Sequence, residues 1–280
     1  MGARRLPGMA ALLTAGAVVL SGCGTQTTPQ TVASRPLASS AVTPAVPVAA
    51  GAQSVPAAAP ATSAVTAPRK TLKLGAKGKD VTWLQNRLVE LGYRPGKADG
   101  RYGGTTLAAV WAFQKVNGIK PTSTIAKRTW EALETPKAPK VLVKNGEPTR
   151  AEVNLTKQIM VLYIGGEAKL ITHISSGSGV PYCESATWQG RKQRFCGSAT
   201  TPTGNYRTTW RKSGWHRSYL GQLYNPIFFN GGIAFHGALS VPLYPASHGC
   251  VRMPMNVAGV VPGMLGKGVP VHVRGSFKRP

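Results

Sequence analysis

The fold of the C-terminal half is decided by Ile159-Met160-Val161-Leu162-Tyr163-Ile164-Gly165-Gly166, which continues as Glu167-Ala168-Lys169-Leu170-Ile171-Thr172-His173-Ile174. Two runs rich in β-branched and aromatic residues flank a Gly-Gly pair, and this order is typical of two antiparallel strands joined by a tight turn. Further strand-like segments occur at 151–155, 232–236 and 269–273, separated by Gly and Pro. From residue 141 to 280 the sequence therefore predicts an all-β domain of the sandwich or barrel type.

Upstream of this domain, apolar residues recur at the spacing of helices. The first predicted helix is capped by Asp80 and stopped by Gly92. Its apolar residues share one face: Val81, Leu84, Leu88 and Leu91. A second helix is predicted to start at Thr105 or Thr106 and end at Gly118, and a third to span 124–133. Residues 69–134 are thus predicted to form a small three-helix bundle, which gives the whole chain an α+β, multidomain class.

The N-terminus is typical of an exported lipoprotein. Arg4 and Arg5 precede an apolar run at 9–20, which is too short to span a membrane as a helix. Leu20-Ser21-Gly22-Cys23 resembles the bacterial lipobox, in which the cysteine is lipidated. We therefore predict a signal peptide at 1–22 and a lipid anchor on Cys23 that faces the cell wall, with an ordinary signal peptide and a chance cysteine as the alternative.

Two segments have the composition of linkers. Residues 23–68 are rich in Ala, Pro, Thr and Ser, and they are predicted to be an extended, disordered tether between the anchor and the bundle. Residues 135–140, Thr-Pro-Lys-Ala-Pro-Lys, are predicted to be a short hinge before the β domain.

The chain is strongly basic, with 34 Lys and Arg against 9 Asp and Glu in 280 residues and a formal net charge of +25. A surface of this charge attracts anionic partners. Nucleic acid is not expected, because the sequence has no RNP-like motif, zinc finger or basic helix with interleaved aromatic residues. Anionic polymers of the cell wall suit an exported protein better. The composition also excludes a wholly disordered chain and a polytopic membrane protein.

The four cysteines narrow the chemistry. Cys23 is assigned to the lipid. In an oxidising compartment Cys183 and Cys196 are expected to form a disulfide, with two free thiols as the alternative. Cys250 is then left as a single unpaired thiol.

Cys250 lies in Ser247-His248-Gly249-Cys250-Val251-Arg252-Met253, with His236-Gly237 upstream. Positive charge from neighbouring His and Arg side chains favours a thiolate, which is the nucleophilic form of cysteine. Glycine at 249 lets the backbone approach a substrate closely, so N–H groups near Gly249 and Cys250 are candidates for an oxyanion hole. The segment therefore predicts a cysteine nucleophile with a histidine base.

The group that would orient the base stays open at this point. No Asp or Glu follows Glu184, so a carboxylate partner would have to be one of four residues: Glu147, Glu152, Glu167 and Glu184. A backbone carbonyl or a side-chain amide is the simpler partner.

Two other interpretations of the motif are weaker. His236, His248 and Cys250 supply three zinc ligands, but neither a fourth ligand nor a carboxylate base lies nearby in the sequence. A buried structural cysteine would not require histidines on both sides. We therefore predict no metal and no cofactor.

The helical segment is similar to the peptidoglycan-binding domain 1 family. The similarity covers nearly all of residues 71–134 and consists of an ordered series of positions: Leu74, Gly75, Gly78, Val81, Leu84, Gln85, Leu88, Leu91, Gly92, Tyr93, Asp99, Gly100, Tyr102, Gly103, Ala109, Val110, Ala112, Phe113 and Gln114. This resemblance implies binding to peptidoglycan glycan.

The β domain resembles the L,D-transpeptidase catalytic (YkuD) family through Thr201-Pro202-Thr203-Gly204-Asn205-Tyr206, Ile233–Gly237 and the Ser247–Met253 motif. The resemblance implies that Cys250 is the nucleophile and His236 the general base, oriented by the backbone carbonyl of Gly237. It also implies that His248, Gly249 and Cys250 shape the oxyanion hole.

The same resemblance implies that Arg252 holds the site or a substrate carboxylate. Ser247 and Tyr224 are also predicted to bind substrate. The implied reaction is attack on the third residue of a peptidoglycan tetrapeptide stem, release of D-Ala, and transfer to an amine or to water. Carbapenems are expected to acylate the thiol. Residues 237–246 form a shorter loop than in many members, and the segment between Cys183 and Cys196 looks like an insertion.

Two functions from other classes remain alternatives. A non-catalytic wall-binding lipoprotein would use the β domain as a spacer, which the intact His236, His248 and Cys250 argue against. A papain-like Cys-His endopeptidase would place its cysteine before its histidine in the chain, whereas here His236 comes first.

Overall fold

The structure is a computed structural model that describes residues 65–277. The predicted signal peptide, Cys23 and nearly all of the predicted tether lie outside the described residues. The helices are α1 (Lys79–Glu90), α2 (Gly104–Val116), α3 (Lys127–Glu134), α4 (Met255–Ala258) and α5 (Val261–Met264). The strands are β1 (Arg150–Asn154), β2 (Ile159–Ile164), β3 (Glu167–His173), β4 (Pro181–Trp188), β5 (Arg191–Ser198), β6 (Gly204–Arg207), β7 (Trp215–Ser218), β8 (Gly221–Asn230), β9 (Ile233–Gly237), β10 (Val251–Met253) and β11 (Pro270–Arg274).

The first three helices form the predicted bundle, but each starts elsewhere than expected, and α2 begins at Gly104 rather than at Thr105 or Thr106. The prediction that Asp80 caps the first helix is wrong: Gly78 is the N-cap residue, and Asp80 lies in the first turn, where a carboxylate favours the positive end of the helix dipole. The third helix begins at Lys127 because Ile125 exchanges backbone hydrogen bonds of 3.0 and 2.8 Å with Leu72, which keeps the preceding residues extended.

The β domain is built from two larger sheets, in agreement with the predicted class. One has the order β3-β2-β1-β11-β6 and the other β10-β9-β8-β7. Most neighbours are antiparallel, whereas β1–β11 and β9–β10 are parallel. A hydrophobic cluster with members on both sheets includes Val153, Leu162, Phe229, Phe235 and Val271. The short helices α4 and α5, which the sequence analysis did not predict, follow β10 and pack on this cluster.

The β2–β3 hairpin confirms the prediction made from residues 159–174. Gly165 and Gly166 have φ values of 61° and 88°, a left-handed pair that suits glycine and the tight turn of a hairpin. Met160 and Leu162 belong to the cluster of the β domain, whereas Ile159, Val161 and Tyr163 belong to the cluster of the helical bundle. Strand β2 is therefore buried on both faces, which explains its continuous apolar sequence.

The helical bundle and the β domain belong to one compact unit. They share the hydrophobic cluster of the helical bundle, to which Ile159, Val161 and Tyr163 of β2 contribute. In addition, the N–H of Ile171 on β3 donates to the carbonyl of Gly92 at 2.9 Å. Residues 135–140, predicted as a hinge, connect these two parts, and the N–H of Lys137 donates to Asn117 Oδ1 at 2.9 Å.

Strands β4 and β5 form a separate two-stranded sheet. Cys183 and Cys196 lie directly opposite each other in its register and form a disulfide. Most side chains of this hairpin are exposed or half-buried. Among residues 65–277, no helix combines the length and apolarity required to cross a membrane.

Candidate active site

An open cleft of about 1150 Å³ contains most of the residues singled out from the sequence. Its walls come from the β4–β5 hairpin, the β7–β8 hairpin, β9 with the residues that follow it, and the segment before and within β10. Five predicted site residues line it: His236, Ser247, His248, Cys250 and Arg252. The cleft therefore brings together side chains from the His236-Gly237 segment and from the Ser247–Met253 segment.

Parallel pairing of β9 and β10 brings the segment that carries Cys250 next to the strand that carries His236. Arg252 lies opposite His236 in this register, and Val251 lies opposite Phe235, so Cys250 reaches the cleft at the start of β10. The N–H of Ala234 lies 3.4 Å from Cys250 Sγ. The thiol and the imidazole are thus held by adjacent strands rather than by free loops.

The imidazole of His236 is oriented by the backbone. Its Nδ1 lies 2.9 Å from the carbonyl oxygen of Gly237, so Nδ1 carries the proton and donates, and Nε2 is left as the basic nitrogen. Burial, opposed in part by this hydrogen bond, lowers the pKa of His236 to about 4, and the nearby charge of Arg252 acts in the same direction as burial. His236 is consequently a neutral base at physiological pH.

The thiol of Cys250 differs from the sequence-based expectation of a favoured thiolate. Burial raises the pKa of Cys250 above its ordinary value, although the Ala234 N–H and the charge of Arg252 both act to lower it. The positive charge expected from the motif is present, but desolvation outweighs it. At physiological pH the thiol of Cys250 and the imidazole of His236 are therefore both neutral.

Gly249 adopts a backbone conformation that restricts this position to glycine. Its φ is +132°, and a Cβ would stand 3.0 Å from the carbonyl oxygen of Thr200. The N–H of Gly249 donates to Ser247 Oγ at 3.0 Å. This amide is therefore used inside the segment, which leaves the N–H of Cys250 as the candidate donor for an oxyanion.

Two hydroxyls fix the carbonyl groups around Cys250. Ser247 Oγ donates to the carbonyl of Cys250 at 2.5 Å, and the buried Thr201 Oγ1 donates to the carbonyl of Gly249, also at 2.5 Å. Thr201 in turn accepts a hydrogen bond of 2.8 Å from the N–H of Gly177. Ser247, predicted to bind substrate, thus holds the backbone. Thr201, which had no role predicted from the sequence, holds the backbone of the same segment.

His248 faces the disulfide-bridged hairpin. Its Nε2 lies 2.7 Å from Glu184 Oε1, and its ring packs edge-on against Tyr182 with 4.7 Å between ring centroids. Of the four carboxylates considered as partners, Glu184 is thus bound to His248 and not to the base His236. The pairing of Glu184 with His248 had no signal in the sequence, because the two residues are far apart in the chain.

The remaining two substrate-binding candidates have different surroundings. The guanidinium of Arg252 lines the cleft half-buried, and within residues 65–277 it makes no hydrogen bond or ion pair with another side chain. Tyr224 is not among the cleft-lining residues: it lies opposite Gly237 on β8, with its ring 5.2 Å from that of Trp215. Arg252 is therefore available to a ligand, whereas Tyr224 supports the strand behind the base.

Aromatic residues on the wall of the cleft were also missed by the sequence analysis. They are Tyr182, Trp188, Trp210, Trp215, Tyr219 and Phe228. Tyr219 stacks on Phe195 at 4.2 Å, which joins the β7–β8 turn to the β4–β5 hairpin. No group of three or more His, Cys, Asp or Glu side chains within the described part of the chain is arranged to hold a metal ion.

Two family models match the chain. A putative peptidoglycan binding domain matches residues 77–133, and the L,D-transpeptidase catalytic domain (YkuD) matches residues 148–273. Their order agrees with the two resemblances found in the sequence.

The chain is also similar to solved structures. The chain is 36% identical to an L,D-transpeptidase from Xylanimonas cellulosilytica, with a TM-score of 0.65 and coverage of 75% of this chain and 100% of that one. An L,D-transpeptidase from Stackebrandtia nassauensis is 23% identical over 76% of this chain and 98% of that one, with a TM-score of 0.42. The match to the Xylanimonas structure shows the family: the chain belongs to the L,D-transpeptidases, with a peptidoglycan-binding domain followed by a YkuD catalytic domain.

Proposed function

We propose that this protein is a cysteine-dependent L,D-transpeptidase that forms 3→3 cross-links between peptidoglycan stem peptides. The observation that carries the proposal is the hydrogen bond from His236 Nδ1 to the Gly237 carbonyl, 2.9 Å long, beside a cleft that also contains Cys250. This bond leaves Nε2 free to accept the thiol proton. Family membership supports transpeptidation, and the arrangement supports the roles of the individual residues.

The first half-reaction is acylation of the thiol. His236 Nε2 takes the proton of Cys250 while Sγ attacks the carbonyl carbon of the third stem residue, diaminopimelate by analogy with the family. The tetrahedral intermediate collapses, the C–N bond to D-Ala breaks, and the proton passes from His236 to the leaving amine. The products are a thioester on Cys250 and free D-Ala.

Charge on the intermediate requires a hydrogen-bond donor at the place where the oxyanion develops. The N–H of Cys250 is the donor we assign, because the N–H of Gly249 is bound to Ser247 Oγ. The hydroxyls of Ser247 and Thr201 hold the adjoining carbonyl groups, so this peptide segment is fixed before substrate arrives.

The second half-reaction consumes the thioester. An amine on the side chain of a neighbouring stem loses a proton to His236 and attacks the acyl carbon, the C–S bond breaks, and Cys250 recovers its proton. With water in place of the amine, the same step is L,D-carboxypeptidase activity, and the openness of the cleft gives a specific reason to test for it.

Arg252 is proposed to bind a carboxylate of the stem. Its guanidinium is half-buried in the cleft without an acidic partner among residues 65–277. An Arg fork matches carboxylate geometry, and a partly desolvated guanidinium binds an anion more strongly than one in bulk water.

Peptidoglycan-acting domains imply an extracytoplasmic location. We further propose that Cys23 carries a lipid anchor, that residues 23–68 give the enzyme reach from the membrane, and that the helical bundle binds wall glycan. The net charge of +25 supports additional attraction to anionic wall polymers. Carbapenems, by analogy with the family, are expected to acylate Cys250.

The test is mass spectrometry of the full chain incubated with a disaccharide-tetrapeptide, with Cys250→Ala as the matched control. The expected product is a dimer lighter by one D-Ala than two monomers, absent with the variant. Loss of D-Ala without joining would replace transfer by hydrolysis. Smaller muropeptide fragments would indicate an endopeptidase, and an unchanged substrate would leave a non-catalytic binding protein.

A further inference from the structure

Lys115 is a charged residue of the helical bundle whose amino group is turned toward the β domain. It lies near the end of α2, and its Nζ donates to the carbonyl of Gln158 at 3.0 Å and lies 2.8 Å from Nδ1 of His173. Both partners belong to the β domain. Among the ion pairs of residues 65–277, none involves Lys115.

This arrangement is costly for the bundle alone. Burial lowers the pKa of Lys115 to about 7, which reflects an ammonium group withdrawn from water without a carboxylate to compensate. A surface lysine would serve wall binding equally well and would avoid this cost. The contacts that the amino group of Lys115 makes therefore account for its burial.

The contact of Lys115 with His173 connects the bundle to Val241, in the middle of the loop that precedes the catalytic motif. The imidazole of His173 is fully buried, and its Nε2 lies 2.8 Å from the carbonyl oxygen of Val241. Because Lys115 donates to Nδ1, the proton of the neutral ring stays on Nε2, where it donates to Val241. Lys115 thus stabilises the tautomer whose Nε2–H binds the Val241 carbonyl of loop 238–246.

The contact of Lys115 with Gln158 connects the bundle, through Ser176, to the end of the same loop. Gln158 is fully buried with a left-handed φ of 50°, an unusual conformation for a non-glycine residue. Its side chain donates to Ser176 Oγ at 2.9 Å and accepts from the N–H of Ser176 at 2.8 Å. The carbonyl of Ser176 accepts hydrogen bonds of 3.0 Å from the N–H groups of Ala246 and Ser247.

The loop so held is part of the active site. Ala238, Leu239 and Ser240 line the cleft, and Ser247 at its far end binds both the N–H of Gly249 and the carbonyl of Cys250. We propose that Lys115 is a positioning residue for the transpeptidase reaction, through which the helical bundle holds loop 238–246 and, next to it, the Ser247–Cys250 segment with the proposed oxyanion donor. The inference rests on the proposed function for its effect on turnover, but not for its effect on the thiol.

The experiment compares the full chain with Lys115→Met, and uses Lys120→Met as the matched control because Lys120 is an exposed lysine of the same bundle. Turnover is measured on a soluble disaccharide-tetrapeptide, which makes wall targeting irrelevant. In parallel, the rate of Cys250 alkylation by iodoacetamide is measured at fixed pH, a readout that requires no enzymatic activity.

We expect Lys115→Met to lower kcat about tenfold with KM changed less than about twofold, because a small displacement of a catalytic group lowers the rate more than the affinity. The alkylation rate should change by about threefold or more, and Lys120→Met should match wild type in both assays. His173→Gln should reproduce the effect, and the double variant should be no worse than the more severe single variant, since both act through one network.

A folded Lys115→Met protein with wild-type kcat and alkylation rate would overturn the inference. If this variant does not fold, Lys115→Arg, which keeps a cationic donor, and His173→Gln are compared instead, and wild-type values for His173→Gln overturn it. If the wild-type protein shows no turnover at all, the proposed function fails, while the alkylation rates still decide the role of Lys115.

Discussion

Nε2 of His248 and Oε1 of Glu184 lie 2.7 Å apart, so the segment that carries the nucleophile is joined to the disulfide-bridged β4–β5 hairpin. Both side chains are partly exposed, and an ion pair of this kind contributes little to global stability. Its effect is local, because it fixes where the hairpin stands beside the cleft.

Replacing Glu184 by Gln should therefore affect catalysis more than folding. We expect the free energy of unfolding to change by less than about 1 kcal/mol. We expect kcat/KM to fall about threefold, equivalent to roughly 0.6 kcal/mol of transition-state stabilisation. Glu167→Gln is the matched control, since Glu167 pairs with Lys169 at the start of β3. Equal kcat/KM values for the two variants would contradict the prediction.

Removal of the disulfide should loosen the hairpin without unfolding the protein. A closed loop of this size constrains the open state by roughly 3 kcal/mol in the chain-entropy description. In a Cys183→Ser, Cys196→Ser variant we expect faster trypsin cleavage after Arg191, Lys192 and Arg194, and a Tm lower by about 6–12 °C. Limited proteolysis followed by mass spectrometry measures this. Cys250→Ser, which keeps the disulfide, should be cut at the wild-type rate; equal cleavage of both variants would refute the expectation.

The pH profile of kcat/KM should reflect a neutral base with a low pKa. Because burial lowers the pKa of His236 to about 4, the imidazole stays unprotonated from neutral pH down to that value, and the acid limb should fall there. An acid limb near the ordinary histidine value of 6.5 would contradict this assignment.

The buried histidines His236 and His173 also make the stability of the fold sensitive to acid. The pKa of His173 is also lowered by burial, to about 3, so between these low values and 6.5 the unfolded chain binds protons that the folded chain does not. The free energy of unfolding should therefore decrease as the pH falls below 6.5. Circular dichroism at each pH separates this loss of folded protein from the loss of catalysis.

Thr201→Val should impair catalysis, because the hydroxyl of Thr201 holds the backbone next to Cys250. The variant keeps the shape of the side chain but leaves the carbonyl of Gly249 and the N–H of Gly177 without their partner, at a cost of about 1–3 kcal/mol in stability. We expect kcat to fall about tenfold as the Cys250 segment moves. Thr201→Ser should restore activity, and the exposed Thr203→Val is the control. Full activity of Thr201→Val would show that Ser247 alone holds the segment.

Local patterns in the sequence were sufficient for much of the fold. The Gly-Gly pair at 165–166 imposes its turn through backbone conformation alone, so the β2–β3 hairpin could be predicted. The ends of α1 and α3 were less accurate, because a bridge between Leu72 and Ile125, distant in the chain, decides where α3 begins.

In the candidate site, too, local motifs could be read from the sequence, whereas contacts between distant segments could not. Cys250, His236 and Arg252, which line one cleft, could be singled out because their motif is contiguous or nearly so. The pKa of Cys250 had the wrong expected direction, since a sequence displays neighbouring charges but not desolvation. The partnership of His248 with Glu184 and that of Lys115 with His173 depend on tertiary packing between segments that share no local pattern.

Strand β2, with one face toward each hydrophobic cluster, limits how the protein can be divided. A catalytic domain cut away from the bundle would present Ile159, Val161, Tyr163 and Ile171 to water as a continuous apolar strip. It would also uncover the edge of β3, where Ile171 now pairs with the backbone at Gly92 and Tyr93. Such a fragment should self-associate, so chimaeras between enzymes of this kind have to exchange the bundle and the sheet face as one piece.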